Sequence, residues 1–224
     1  MVDKAKDTFV RDLSLEPSLI SECMAQMRDV SYQENRFLFR KNLEKLGQMM
    51  ALEISKSLSF ESREIQTPLG VARCSLLKEQ PVIATILRAG LPMQTGFLDY
   101  FDKADACFVS AYRKHTGGAN FEIVLGYHSH PSLQDRVLIL CDPMLATGKS
   151  MVEVYKKLTD IEKPKTLHIA CAVASKQGIQ YVREHIPQAI IWVAGIDPEL
   201  NDKFYIVPGL GDAGDLAFGE KEQH

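Results

Sequence analysis

A mainly parallel β-sheet with helices on both faces is the fold that this sequence predicts, and two observations predict it. Short runs that are apolar along their whole length recur through the chain, and helical patterns stand between them. Strands without a polar face, separated by helices, belong to a sheet covered on both sides. A length of 224 residues suits one large α/β domain better than two independent ones. From the start of the chain, a polar segment leads into a weak helix candidate over Glu16–Met27. Next, Phe39, Leu43, Leu46, Met50, Ile54 and Leu58 step by three or four within Tyr32–Leu58, the spacing of a long amphipathic helix. Strands are expected at Val82–Leu87, Ala106–Val109, Val137–Cys141, Leu167–Val173 and Ile190–Ala194, with helices at Met93–Phe101, Lys149–Leu158 and Ser175–Ile186. Tyr112–Pro131 contains Thr116-Gly117-Gly118 and reads as a hairpin arm or a mobile loop. From Gly195 onward Gly, Pro and Asp dominate without a regular period, which describes a shaped binding segment outside the core.

Bulk properties remove several classes of function. Acidic residues exceed basic ones by three, and no basic run would follow a phosphate backbone, so nucleic acid is not the expected partner. Neither a leader nor an apolar run near the roughly 20 residues of a membrane span is present; the expectation is a cytoplasmic protein without membrane contact. Cys23, Cys74, Cys107, Cys141 and Cys171 are far apart and form no CxxC pair, which suits reduced, mostly buried thiols. His128 and His130 lack the cysteines or acids that would complete a metal set.

The strongest local signal is the stretch from Arg136 to Ser150, where an apolar strand enters Asp142-Pro143-Met144-Leu145-Ala146-Thr147-Gly148-Lys149-Ser150 and a helix follows. At such a turn unpaired N–H groups and the positive end of the helix dipole hold a phosphate largely by main chain. Thr147 and Ser150 add hydroxyls, and Gly148 permits close approach. A nucleotide-triphosphate P-loop needs another glycine five residues before Gly148, where Pro143 stands. No GxGxxG follows a strand, which removes a dinucleotide fold.

This loop resembles the signature with which type I phosphoribosyltransferases bind 5-phosphoribosyl-1-diphosphate (PRPP). Ile86-Leu-Arg-Ala-Gly-Leu91 is similar to that family's pyrophosphate loop and Ala111-Tyr-Arg-Lys114 to its second arginine segment. Gly195–Lys203 and Tyr205–Asp215 resemble the tail of its uracil phosphoribosyltransferase branch. Three departures stand out: Cys141 precedes a single Asp142, Lys149 replaces a usual glycine and is left either to reach the phosphate or to face solvent, and Pro92 replaces another glycine.

The resemblance implies the type I phosphoribosyltransferase fold as one domain over 1–224. It would comprise an N-terminal helical segment (1–60), an α/β core (61–194) and a base-binding tail (195–224), with helices and tail forming a hood over the carboxyl edge of the sheet. The implied reaction is uracil plus PRPP giving UMP and diphosphate, with Mg²⁺ carried by PRPP and no protein ligand assigned to it. PRPP falls to Arg88, Ala89, Gly90, Arg113, Asp142–Ser150 and Asp212, and uracil to Ile206, Gly211, Asp212 and Ala213; Arg88 and Asp212 are the catalytic candidates. Also implied are a cis peptide between Arg88 and Ala89 and a homodimer or higher homo-oligomer, for which the Phe39–Leu58 stripe is the sequence argument. Activation by GTP is left open. The rivals are a PRPP- or UMP-binding regulator without turnover and a phosphoribosyltransferase for another base.

Overall fold

A computed structural model gives the structure of the chain. It describes residues 9–117 and 120–220, with backbone alone for 112–117, 120–125 and 128. In chain order come β1 (Val10–Asp12), α1 (Leu19–Arg28), α2 (Val30–Gln33), α3 (Arg36–Ser55), β2 (Phe60–Thr67), β3 (Gly70–Leu77), β4 (Val82–Leu87) and α4 (Leu91–Tyr100). Then follow β5 (Asp105–Gly117), β6 (Asn120–Ser129), β7 (Val137–Cys141), β8 (Met144–Leu145), α5 (Lys149–Leu158), β9 (Thr166–Ser175) and α6 (Lys176–His185). The chain continues through β10 (Ile190–Asp197), β11 (Glu199–Leu200), β12 (Ile206–Val207) and α7 (Ala213–Phe218).

The central sheet runs β1-β10-β9-β7-β4-β5-β6, parallel except where β6 turns back on β5. Side chains alternate across it. Ile83, Ile139, Ala170 and Trp192 face a core shared with α1, α3 and α4; Val82, Leu138, Ile169 and Ile191 face a second core shared with α5 and α6. The expected architecture, a mostly parallel sheet between helices, is therefore present. From β4 the chain crosses to β5 on one side, and from β7 it crosses to β9 on the other. Loops after β4 and β7 thus open where the connections diverge, the place at which open α/β sheets bind ligands.

Several expectations need correction. The predicted long helix over Tyr32–Leu58 starts at Arg36, because the side chain of Asn35 accepts from the N–H groups of Phe37 and Leu38 and caps it. Its stripe of Phe39, Leu43, Leu46, Met50 and Ile54 is buried within the chain's own core, so it supplies no face for a second copy. Residues after Ser59 form a two-stranded hairpin, β2–β3, that alternation did not reveal, because both of its faces are largely exposed. The tail is not outside the core: Ile206, Leu210, Ala213 and Ala217 are buried in the cluster that holds α1 and α3.

Candidate active site

Two helices begin with a glycine that has no side chain to satisfy their first N–H groups: α4 behind Gly90 and α5 behind Gly148. The other five described helices are capped by the side chains of Ser18, Asp29, Asn35, Ser175 and Asp212. Both uncapped ends lie at the carboxyl edge, one strand apart, following β4 and β7. The positive ends of both helix dipoles therefore face one region.

The loop after β7 is held from behind. Asp142 Oδ1 accepts from Met144 N at 3.1 Å, and the N–H of Asp142 donates to Ala170 O at 3.1 Å. Met144 and Leu145 then pair with β9 as β8, which buries Leu145 and directs the carbonyls of Leu145 and Ala146 toward Gly178. Ser175, fully buried, donates to Ala146 O at 2.6 Å and accepts from Gly178 N at 2.8 Å. Pro143, Leu145 and Ala146 are thus buried against β9 and α6, and Thr147, half-buried Ser150 and exposed Lys149 follow at the helix start. Gly148 has φ +77, and a Cβ there would stand 2.8 Å from Gly178 O. The glycine is demanded by the packing of the loop on α6 as well as by any anion. Cys141, at the departure from the usual acidic pair, is buried and its thiol is pushed up to about 12 by that burial.

Across the edge, the loop after β4 lies tight on the sheet. A Cβ on Gly90 would sit 2.1 Å from Thr85 Oγ1 and 3.0 Å from Cys141 O. The non-proline cis peptide is Leu87–Arg88, one bond before the one expected. Arg88 is exposed and donates to Asp215 Oδ1 at 3.0 Å and Gly219 O at 3.3 Å. Asp212 accepts instead from the N–H groups of Gly214 and Asp215, at 2.9 and 3.1 Å, and so caps α7. Asp212, the candidate from the sequence, thus caps α7, and Asp215 meets the arginine. Arg113 lies on β5 opposite Ile123, and its side chain is outside the described residues.

The tail reaches the edge through a chain of sharp turns. Phe204 has φ +60, Val207–Pro208 is cis, and Gly209 and Gly211 have φ of +59 and +90. Ile206 and Ala213 are buried, while Gly211 is exposed. Beside this segment a cleft of about 500 Å³ is lined by Gln33, Glu34, Arg36, Asp212, Asp215 and Leu216. The start of α3 therefore brings Arg36 beside the tail, a residue that no sequence pattern singled out.

Among the described residues no three His, Cys, Asp or Glu side chains cluster to hold a metal, and no helix is long and apolar enough to cross a membrane. The family model for uracil phosphoribosyltransferase matches residues 14–220. A uracil phosphoribosyltransferase of Porphyromonas gingivalis is 50% identical over 210 residues, 93% of this chain and 97% of its own. One from Thermococcus gammatolerans is 40% identical over 203 residues, 89% of each chain. Among solved structures, the AQ2163 protein from Aquifex aeolicus matches with a TM-score of 0.85 at 30% identity, over 94% of this chain and 98% of that one. With nearly the whole length matched, the glycine-started helices and the turned tail included, this chain belongs to the uracil phosphoribosyltransferase family.

Proposed function

We propose that this chain transfers the 5-phosphoribosyl group of PRPP to uracil, giving UMP and diphosphate. Family membership over nearly the whole chain carries this reading. The N-terminus of α5 and the positive end of the α4 dipole, with Thr147, Ser150 and Arg88, favour two phosphate groups at one edge in this reading. As the base nitrogen attacks the anomeric carbon, the bond to diphosphate breaks and negative charge gathers on the leaving oxygens. Donors already oriented toward those oxygens lower the barrier without reorganising. Asp142, at the end of β7, faces the ribose hydroxyls in this reading, and the main chain around Ile206, Gly211 and Ala213 reads the base.

Magnesium fits as an ion held mainly by the diphosphate, the ribose oxygens and water, because Mg²⁺ keeps several waters and needs no protein cage. When bound, it neutralises charge on the diphosphate. A homodimer or higher homo-oligomer completes the reading, with light scattering as its measure; exposed Phe60, Ile65, Leu69 and Val71 on β2–β3 are apolar surface that a second copy would cover. The protein is placed in the cytoplasm, where buried thiols such as Cys107 and Cys171 stay reduced. GTP activation belongs to the same reading only if added GTP raises the rate.

A diphosphate-release assay with PRPP, Mg²⁺ and uracil, cytosine, hypoxanthine or orotate tests the proposal. Turnover is expected with uracil and about 10⁴-fold less with cytosine, whose donor and acceptor are exchanged against fixed backbone partners. Comparable rates with cytosine or orotate, or no release with any base, would overturn it.

A further inference from the structure

The segment that presents Gly211 is gripped by a set of side chains from opposite ends of the sequence. Arg28, the last residue of α1, makes two hydrogen bonds of 2.9 Å to Asp197, Nη1 to Oδ2 and Nη2 to Oδ1. Its Nη1 also donates to Gly209 O at 3.0 Å, and Asp197 Oδ2 accepts from Gly209 N at 2.9 Å. Both backbone groups of one peptide-chain residue are thus held by one ion pair. Gln33 adds a third hold: its Nε2 donates to Leu210 O and Met27 O, each at 2.7 Å. Two residues in succession, Gly209 and Leu210, are therefore fixed immediately before Gly211.

The ion pair is built in and not incidental. The Asp197 side chain is 8% exposed and that of Arg28 26%. Gly195 leaves room for the guanidinium, since a Cβ there would stand 3.0 Å from Arg28 Nη2. A planar fork on a carboxylate fixes direction as well as distance, which a lysine ammonium does not. Gly209 has φ +59, and a Cβ there would stand 2.1 Å from Ile206 O, so the turn admits little change at this position.

We infer that Arg28 and Asp197 are positioning residues for base recognition, setting the main chain of Gly209–Gly211 at the geometry that discriminates uracil. The inference rests on the assignment of Gly211 to the base. It predicts a split between the two substrates. Substituting Arg28→Lys keeps the charge but loses the fork, so KM for uracil rises at least tenfold, KM for PRPP stays within twofold, and the cytosine-to-uracil rate ratio increases. Asp197→Asn, nearly isosteric, does the same more mildly and serves if the lysine variant does not fold. Gly211→Ala, whose Cβ meets only Leu216 Cδ1 at 3.6 Å but is strained by the φ of +90, tests the base assignment when its urea midpoint is measured beside both KM values. If it raises KM for uracil while Arg28→Lys and Asp197→Asn leave that constant unchanged, the positioning role is wrong and the base site stands. Should all three leave it unchanged, both ideas fall together. Equal rises in both KM values with a lowered melting temperature would make the pair a general structural strut and overturn the inference.

Discussion

At the scale of single residues, the phosphate loop separates two roles that its sequence runs together. Gly148 packs against α6, with φ +77 and no space for a Cβ beside Gly178 O, so its replacement disturbs the fold before it disturbs a ligand. Gly148→Ala is therefore expected to lower unfolding free energy by about 1–3 kcal/mol in urea titration, from αL strain and crowding together. Thr147→Val keeps the shape and removes the hydroxyl, which accepts only a long contact of 3.4 Å from Lys149 N. That variant should retain its urea midpoint and bind PRPP about tenfold more weakly by calorimetry, the worth of one charge-assisted hydrogen bond. Unaltered PRPP binding in Thr147→Val would remove the hydroxyl from the site. Gly148 and Thr147 were legible as a turn into a helix, because a small-residue run between an apolar strand and a helical period has a pattern of its own. Asp215 was not, since an aspartate inside a Gly-rich tail looks the same whether it caps a turn or meets Arg88.

At the scale of elements, the crossing of α3 and α4 depends on two glycines that face opposite backbones. A Cβ on Gly47 would lie 2.2 Å from Met93 O, and one on Gly96 would lie 1.9 Å from Glu44 O. Backbone in the facing helix cannot step aside without separating the pair. Either Gly→Ala change is thus expected to destabilise by about 2 kcal/mol or more, against a gain of about 1 kcal/mol from helix propensity alone. Thermal unfolding of Gly47→Ala and Gly96→Ala measures it, and a raised melting temperature would show that the helices have slack. Elements whose burial is one-sided or complete were readable: β4, β7 and α5 were predicted with the bounds they have, because apolar period alone defines them. The β2–β3 hairpin was not, as its two exposed faces leave no alternation. Neither was the short β8, whose pairing with β9 is set by the third dimension.

For the whole molecule, two cores divided by one sheet make the stability depend on groups inside that sheet. His168 on β9 is buried, and its Nδ1 accepts from Trp192 Nε1 on β10 at 3.1 Å. Burial pulls its pKa from 6.5 down to about 4, so the folded protein holds it neutral where the unfolded chain protonates it. Stability from this group is complete above pH 6.5 and is lost as pH falls toward 4, for a total on the order of 3 kcal/mol. Urea midpoints measured from pH 7 to 4 should drop less steeply in His168→Gln than in the unaltered protein; parallel slopes would contradict a neutral buried imidazole. The carboxyl edge of the sheet was expected from the sequence as the ligand side, but the joining of α1 to the tail was not legible, because Arg28 and Asp197 are distant in sequence and ordinary in type. That joining has a consequence for the newly made chain. The phosphate loop and its supporting strands are synthesised well before Gly209, so they can fold while the last segment is still inside the ribosome. Arg28 waits without its carboxylate until Asp197 is made, and the grip on Gly209 closes only once Gly209 has followed it. A chain that stops short of Asp197 has the loop after β7 but lacks the ion pair that holds Gly209.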